Sequence, residues 1–177
     1  MSTATARTLA WIHGVVVGLN LCPFAAGPLR RKQVLFVECD ADTAEQAFYR
    51  AGSQVQSLVE QPPNVVETSL LIFTSPPFTD FAQFLDFVGE VEAFLTDTGA
   101  NALVQLAHFH PHYCFAGVPA DDPANATNQS PYPTLQLLRI ASVAKAVAAH
   151  PDPEGIPERN ARLLREQPDL IASRRDD

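Results

Sequence analysis

The sequence predicts an α/β (or α+β) fold: a small sheet of three to four strands layered against four to five helices, with βαβ-type connections. Three observations carry this. Apolar residues recur at helical spacing over 4–20, 42–60 and 79–99. Short runs rich in Val, Leu, Ile and Phe lie at 33–38, 66–74 and 101–109. Proline, glycine and asparagine mark the junctions between them. Alternation of strand and helix favours layered packing.

The first helix places Leu9, Ile12, Val16 and Leu19 on one side. Pro23 stops it, because the residue before a proline is pushed out of the α region. Cys22 is thereby expected at or just past a helix C-terminus, where the dipole disfavours a thiolate. Strand 33–38 follows. Asp42 and Glu45 have capping-box spacing, and Ala47, Ala51, Val55 and Leu58 continue the helix to about residue 60. Pro62-Pro63-Asn64 breaks it. After strand 66–74, Thr79 is the expected cap of a helix that turns Phe84, Val88, Val91 and Leu95 inward, and Gly99 ends it. Strand 101–109 comes next. Residues 110–133 hold five prolines and no periodicity, and a loop this long inside a compact domain is commonly functional. Ser130 or Thr134 is then the expected start of a last long helix, with Leu137, Ile140, Val143 and Val147 buried. A short helix near 156–166 follows.

At 177 residues, 46% apolar and 18% charged, the chain suits a single globular domain with its own core. A charged tail from about residue 167 is expected to fray. The net charge of −8 argues against a nucleic-acid partner. Arg30-Arg31-Lys32 is the densest basic cluster, enough for a small anion. No apolar run approaches the ~20 residues of a membrane span. Cys22, Cys39 and Cys114 are odd in number and far apart, which is no disulfide framework. A cytoplasmic protein with reduced thiols is expected. Oligomeric state has no signal.

Three groups carry chemistry. In His108-Phe-His110-Pro-His112-Tyr-Cys114, alternate side chains of an extended chain share a face, and imidazole with thiol suits a borderline metal. Against this, the residues form no recognised ligand spacing, so no metal ligands are assigned. Cys22-Pro23 offers either a nucleophile or a buried structural thiol; the dipeptide also resembles a haem-ligating one. Asp121-Asp122-Pro-Ala-Asn125-Ala-Thr127-Asn128-Gln-Ser130 is dense in short polar groups. These make turns and caps, or converge on a ligand at a helix start, with Arg139 clamping an anion.

Gly18-Leu-Asn-Leu-Cys22-Pro-Phe24, then Phe109-His110-Pro111 with Tyr113 and Phe115-Ala-Gly117, then Asp121-Asp122 through Ser130-Pro-Tyr-Pro133 and Leu137-Leu138-Arg139, resemble the three motifs of the domain of unknown function 1415 family. The resemblance spans nearly the whole chain and implies an ordinary soluble bacterial or plastid protein, without a reaction. It singles out Cys22, His110, Tyr113, Asp122, Asn125, Asn128 and Arg139. The chain departs from the family's pattern at Gln129, where arginine is usual, at Gln136, where histidine is usual, and at Ile140, where glutamate is usual.

The leading expectation is an enzyme acting on a small polar or anionic metabolite, its cofactor unspecified. His110 would be the acid or base, Asp122 its partner, and Cys22 a nucleophile or pocket wall. Tyr113, Asn125, Asn128, Ser130 and Arg139 would hold the substrate. This requires the 20–24 turn to meet the 108–139 segment. The alternatives are a metal- or haem-binding protein using His110 with neighbouring His, Cys or Asp, and a non-catalytic structural or interaction domain.

Overall fold

The computed structural model describes residues 3–171. Four strands form one mixed sheet in the order β1-β2-β4-β3: β1 (Val34–Cys39), β2 (Thr68–Phe73), β3 (Val104–Phe109) and β4 (Thr134–Arg139). β1 runs parallel to β2, with Val34 opposite Thr68 and Cys39 opposite Phe73. β4 is antiparallel to both neighbours, with Thr68 opposite Leu138 on one side and Phe109 opposite Thr134 on the other. The expected α/β layering is therefore present.

β4 corrects one expectation. Residues 134–139 form a strand rather than the first turns of a long helix, and the helix that follows is only Ile140–Ala149. Leu135 and Leu137 are both fully buried and point to one side. Gln136 and Leu138 point to the other, where they line a cavity. This is the period of two that a sheet imposes. Ser130 and Thr134 therefore cap no helix, and Arg139 closes a strand.

Two helices cover one face: α3 (Ala44–Glu60) and α4 (Phe81–Asp97). Their caps shift by one residue from expectation. Thr43, not Asp42, accepts from the Gln46 N–H, and Asp80, not Thr79, accepts from the Gln83 N–H. Each has the extended backbone a cap needs, with its oxygen over the open first turn. The core here is aromatic: Phe73, Phe78, Phe84 and Phe87 pack edge-on, tilted or stacked at 4.5–6.3 Å between centroids. Gly99, at φ +73°, ends α4 in the left-handed region that glycine enters without strain.

The opposite face is covered more thinly. α1 (Thr3–Trp11) passes into a π-helical turn over Ile12–Val17. Gly18 N–H donates to the His13 carbonyl at 3.0 Å, and Leu21 N–H to that of Val16 at 2.8 Å. After the turn at 18–21 comes a short helix, α2 (Ala26–Arg30), which sequence reading passed over. α5 (Ile140–Ala149) and α6 (Ile156–Glu166) complete this side. Trp11, Val15, Leu21, Leu70, Leu164 and Ile171 form its core. Ile171 is 7% exposed; the rest of the tail expected to fray lies outside the described residues. Among the described residues no helix is long and apolar enough to cross a membrane.

Candidate functional site

The thinly covered face carries an open-sided cavity of about 970 Å³, at the upper end of the range for small-molecule sites. Its floor is the sheet: Val34, Leu70, Ala107, Phe109 and Leu138, with the polar pair Thr68 and Gln136. Gln136 donates from its side-chain nitrogen to Thr68 Oγ1 at 3.1 Å, and that hydroxyl donates to the Leu137 carbonyl at 2.7 Å. One wall is Trp11, Ile12 and Val16, where the π-turn broadens the helix. The segment Cys22–Arg31 forms a second wall, and Ser142, Val143, Lys145, Ala146 and Ala149 of α5 form a third. Thr127 and Asn128 reach it from the long loop.

Cys22 is the cysteine on this lining. Its setting differs from the helix C-terminus expected of it. The π-turn ends at Val17, and the chain turns again at 23–25 into α2. Backbone N–H groups of Phe24 and Ala25 bond to the thiol sulfur, so the local field there is positive. Burial is the larger effect and pushes the thiol pKa up. The backbone before it is held by α6: Asn160 donates to the Leu21 carbonyl at 2.7 Å, and Arg159 to that of Asn20 at 2.8 Å. Neither residue was marked by sequence reading, because nothing local ties residue 160 to residue 21.

His110 lies on the other face. It packs its ring against Phe81 and Phe84 of α4, at 5.2 and 5.5 Å between centroids. Nε2 donates to the Phe78 carbonyl at 2.8 Å, and Nδ1 accepts from the His112 N–H at 3.0 Å. That pairing selects the neutral tautomer with its proton on Nε2. Burial holds its pKa below the ordinary histidine value, opposed by the Phe78 carbonyl. Both ring nitrogens are engaged within the protein, and the sheet stands between His110 and the Cys22 cavity. Asp122 faces neither: it takes a bidentate pair from Arg165, at 2.8–3.1 Å, and caps the 3-10 turn at Pro123–Thr127 through Ala124 N–H. Arg165 and then the Ala124 N–H hold this carboxylate below its usual range.

The other expected ligand-holding residues divide the same way. Asn125 is fully buried, accepting from Phe115 N–H and donating to the Pro119 carbonyl, which folds the loop on itself. Ser130 donates to the Tyr132 carbonyl. Tyr113 is buried beside Phe81 and His108, and the Asn128 side chain bonds its phenol. Asn128 also donates to the His108 carbonyl at 3.4 Å. Arg139 gives its guanidinium to the carbonyls of Leu58, Gln61 and Val66, at 2.6–3.2 Å, where α3 ends. The cavity thus brings together Cys22, Asn128 and Arg139, and leaves His110, Tyr113, Asp122, Asn125 and Ser130 outside its lining. Of the three departures from the family pattern, Gln136 lines the cavity, while Gln129 donates to the Tyr113 carbonyl. Among the described residues no group of three or more His, Cys, Asp or Glu is placed to hold a metal ion.

No curated protein and no solved structure matches the chain. The family model described as protein of unknown function (DUF1415) matches residues 3–170. That match covers the cavity walls, the long loop and both cores up to Leu170, and the chain belongs to this family.

Proposed function

We propose that this protein acts on, or carries, a small molecule held in the cavity between the sheet and the α2 and α5 walls. The observation that carries the reading is the cavity itself. An apolar floor with a few polar groups set into it is the usual composition of a ligand site. Cys22 places a thiol on the wall; its neighbouring N–H groups favour the charged form, but burial outweighs them and keeps the thiol protonated. His110 and Asp122 act in this reading as supports of the loop that delivers Asn128.

The test is a titration with phenylnaphthylamine, an uncharged apolar fluorophore that brightens out of water. Wild-type protein is expected to bind it saturably at one site. Ala107 faces the cavity from β3, so Ala107→Trp fills the space from its floor. That variant is expected to keep its melting transition and lose the binding. Equal binding by wild type and Ala107→Trp would overturn the proposal.

A further inference from the structure

The lining carries a charge pattern opposite to that of the chain. The protein has 20 acidic and 12 basic residues. The cavity lining includes four of the basic ones, Arg30, Arg31, Arg139 and Lys145, and one of the acidic ones, Glu67. Arg30, Arg31 and Lys145 are exposed, whereas Trp11 and Leu70 are buried. The charges therefore stand where the cavity meets solvent, and the depth is apolar. Gly27 makes room for one of them: a Cβ there would lie 3.2 Å from an Arg31 guanidinium nitrogen. α5 is almost wholly apolar in sequence yet has no buried residue, and Ser142, Val143, Ala146 and Ala149 turn towards the cavity.

Resting on the cavity reading above, we infer that the ligand is an amphipathic anion: an apolar body filling the space over Leu70, Ala107 and Leu138, with a carboxylate, sulfonate or phosphate at the Arg30, Arg31 and Lys145 mouth. An apolar body alone would leave these exposed cations without a counter-charge, Arg31 donating to the neutral amide of Gln33 at 2.6 Å. A small polar anion alone would leave the apolar floor bare. Charge at the mouth also speeds encounter with an anion, although the molecule as a whole repels one.

The matched probes are phenylnaphthylamine and its sulfonate derivative, anilinonaphthalene sulfonate, which share one apolar body and differ by one negative charge. Wild-type protein is expected to bind the sulfonate about tenfold more tightly, with the preference shrinking as salt rises. Arg30→Gln with Lys145→Gln is expected to remove the preference and leave the uncharged probe unaffected. Lys32→Gln, an exposed cation outside the lining, is expected to change nothing. Equal affinity for the two probes in wild type would overturn the inference while leaving the cavity reading intact. So would a preference that survives in the double variant or falls in Lys32→Gln. Failure of both probes to bind would overturn the two together.

Discussion

His110 draws attention in the sequence because histidine titrates near neutrality. In the fold it is fully buried, with one nitrogen donating to Phe78 and the other accepting from His112. Its neutral form is the one the fold accommodates, so its pKa falls below the ordinary value. The sign for stability follows: above the unfolded-state value of about 6.5 both states are neutral and the fold is unburdened. As pH falls below that value, the unfolded chain takes the proton and the folded protein resists it. Stability is therefore lost between about pH 6.5 and the lower folded value. His108, also shifted down by burial, acts in the same direction. Urea denaturation at pH 7.5 and 5.5 is expected to show this loss, and His110→Gln to show less of it. At neutral pH, His110→Ala is expected to cost about 2–4 kcal/mol through the lost packing and the unpaired Phe78 carbonyl. The types of the motif residues were legible in sequence. The side of the sheet each one serves was not, since Phe109 and His110 are neighbours in the chain and face opposite layers.

At the scale of elements, β4 is the instructive case. Thr134-Leu-Gln-Leu-Leu-Arg139 runs into Ile140–Ala149 without a glycine or proline between them. Leucines at 135, 137 and 138 fit either period, and short apolar runs are ambiguous between strand and helix. Pairing with β2 and β3 on both sides decides for the strand. By contrast, β1, β2 and β3 and helices α3 and α4 were legible, because each is bounded by Pro, Gly or Asx residues. Arg139 shows what the misread run concealed. Rather than clamping a ligand two helical turns beyond the loop, it joins β4 to the C-terminal end of α3 through the Leu58 and Gln61 carbonyls, and to the connection before β2 through that of Val66. A cation at that end also opposes the negative pole of the helix. Arg139→Ala is expected to lower unfolding free energy by about 1.5–3 kcal/mol, read from chemical denaturation. Arg139→Lys is expected to recover only part, because one ammonium cannot reproduce the planar fork.

For the molecule as a whole, the two layers differ in how they are filled. The α3–α4 layer holds the larger packed core, with four phenylalanines among its buried residues. The opposite layer is filled near α1 and α6 and open beneath α2 and α5. α6 links the parts: Asp122–Arg165 ties it to the long loop, and Asn160 and Arg159 tie it to the backbone before Cys22. The motif segments are thus joined through a helix on which sequence reading placed no motif residue. Cys22 and Asn128, which line the cavity, stood out in the sequence; the floor and the α5 wall did not, because they depend on the face that β4 presents.

In the proposed function, ligand enters the layer lined by Cys22 and α5, and not the side of the sheet where His110 lies. Hydrogen–deuterium exchange with and without anilinonaphthalene sulfonate separates the two sides. New protection is expected in α2, α5 and the backbone around Asn128, with the 110–119 loop and α4 unchanged. Protection centred on the His110 loop and α4, with α2 and α5 unchanged, would contradict it.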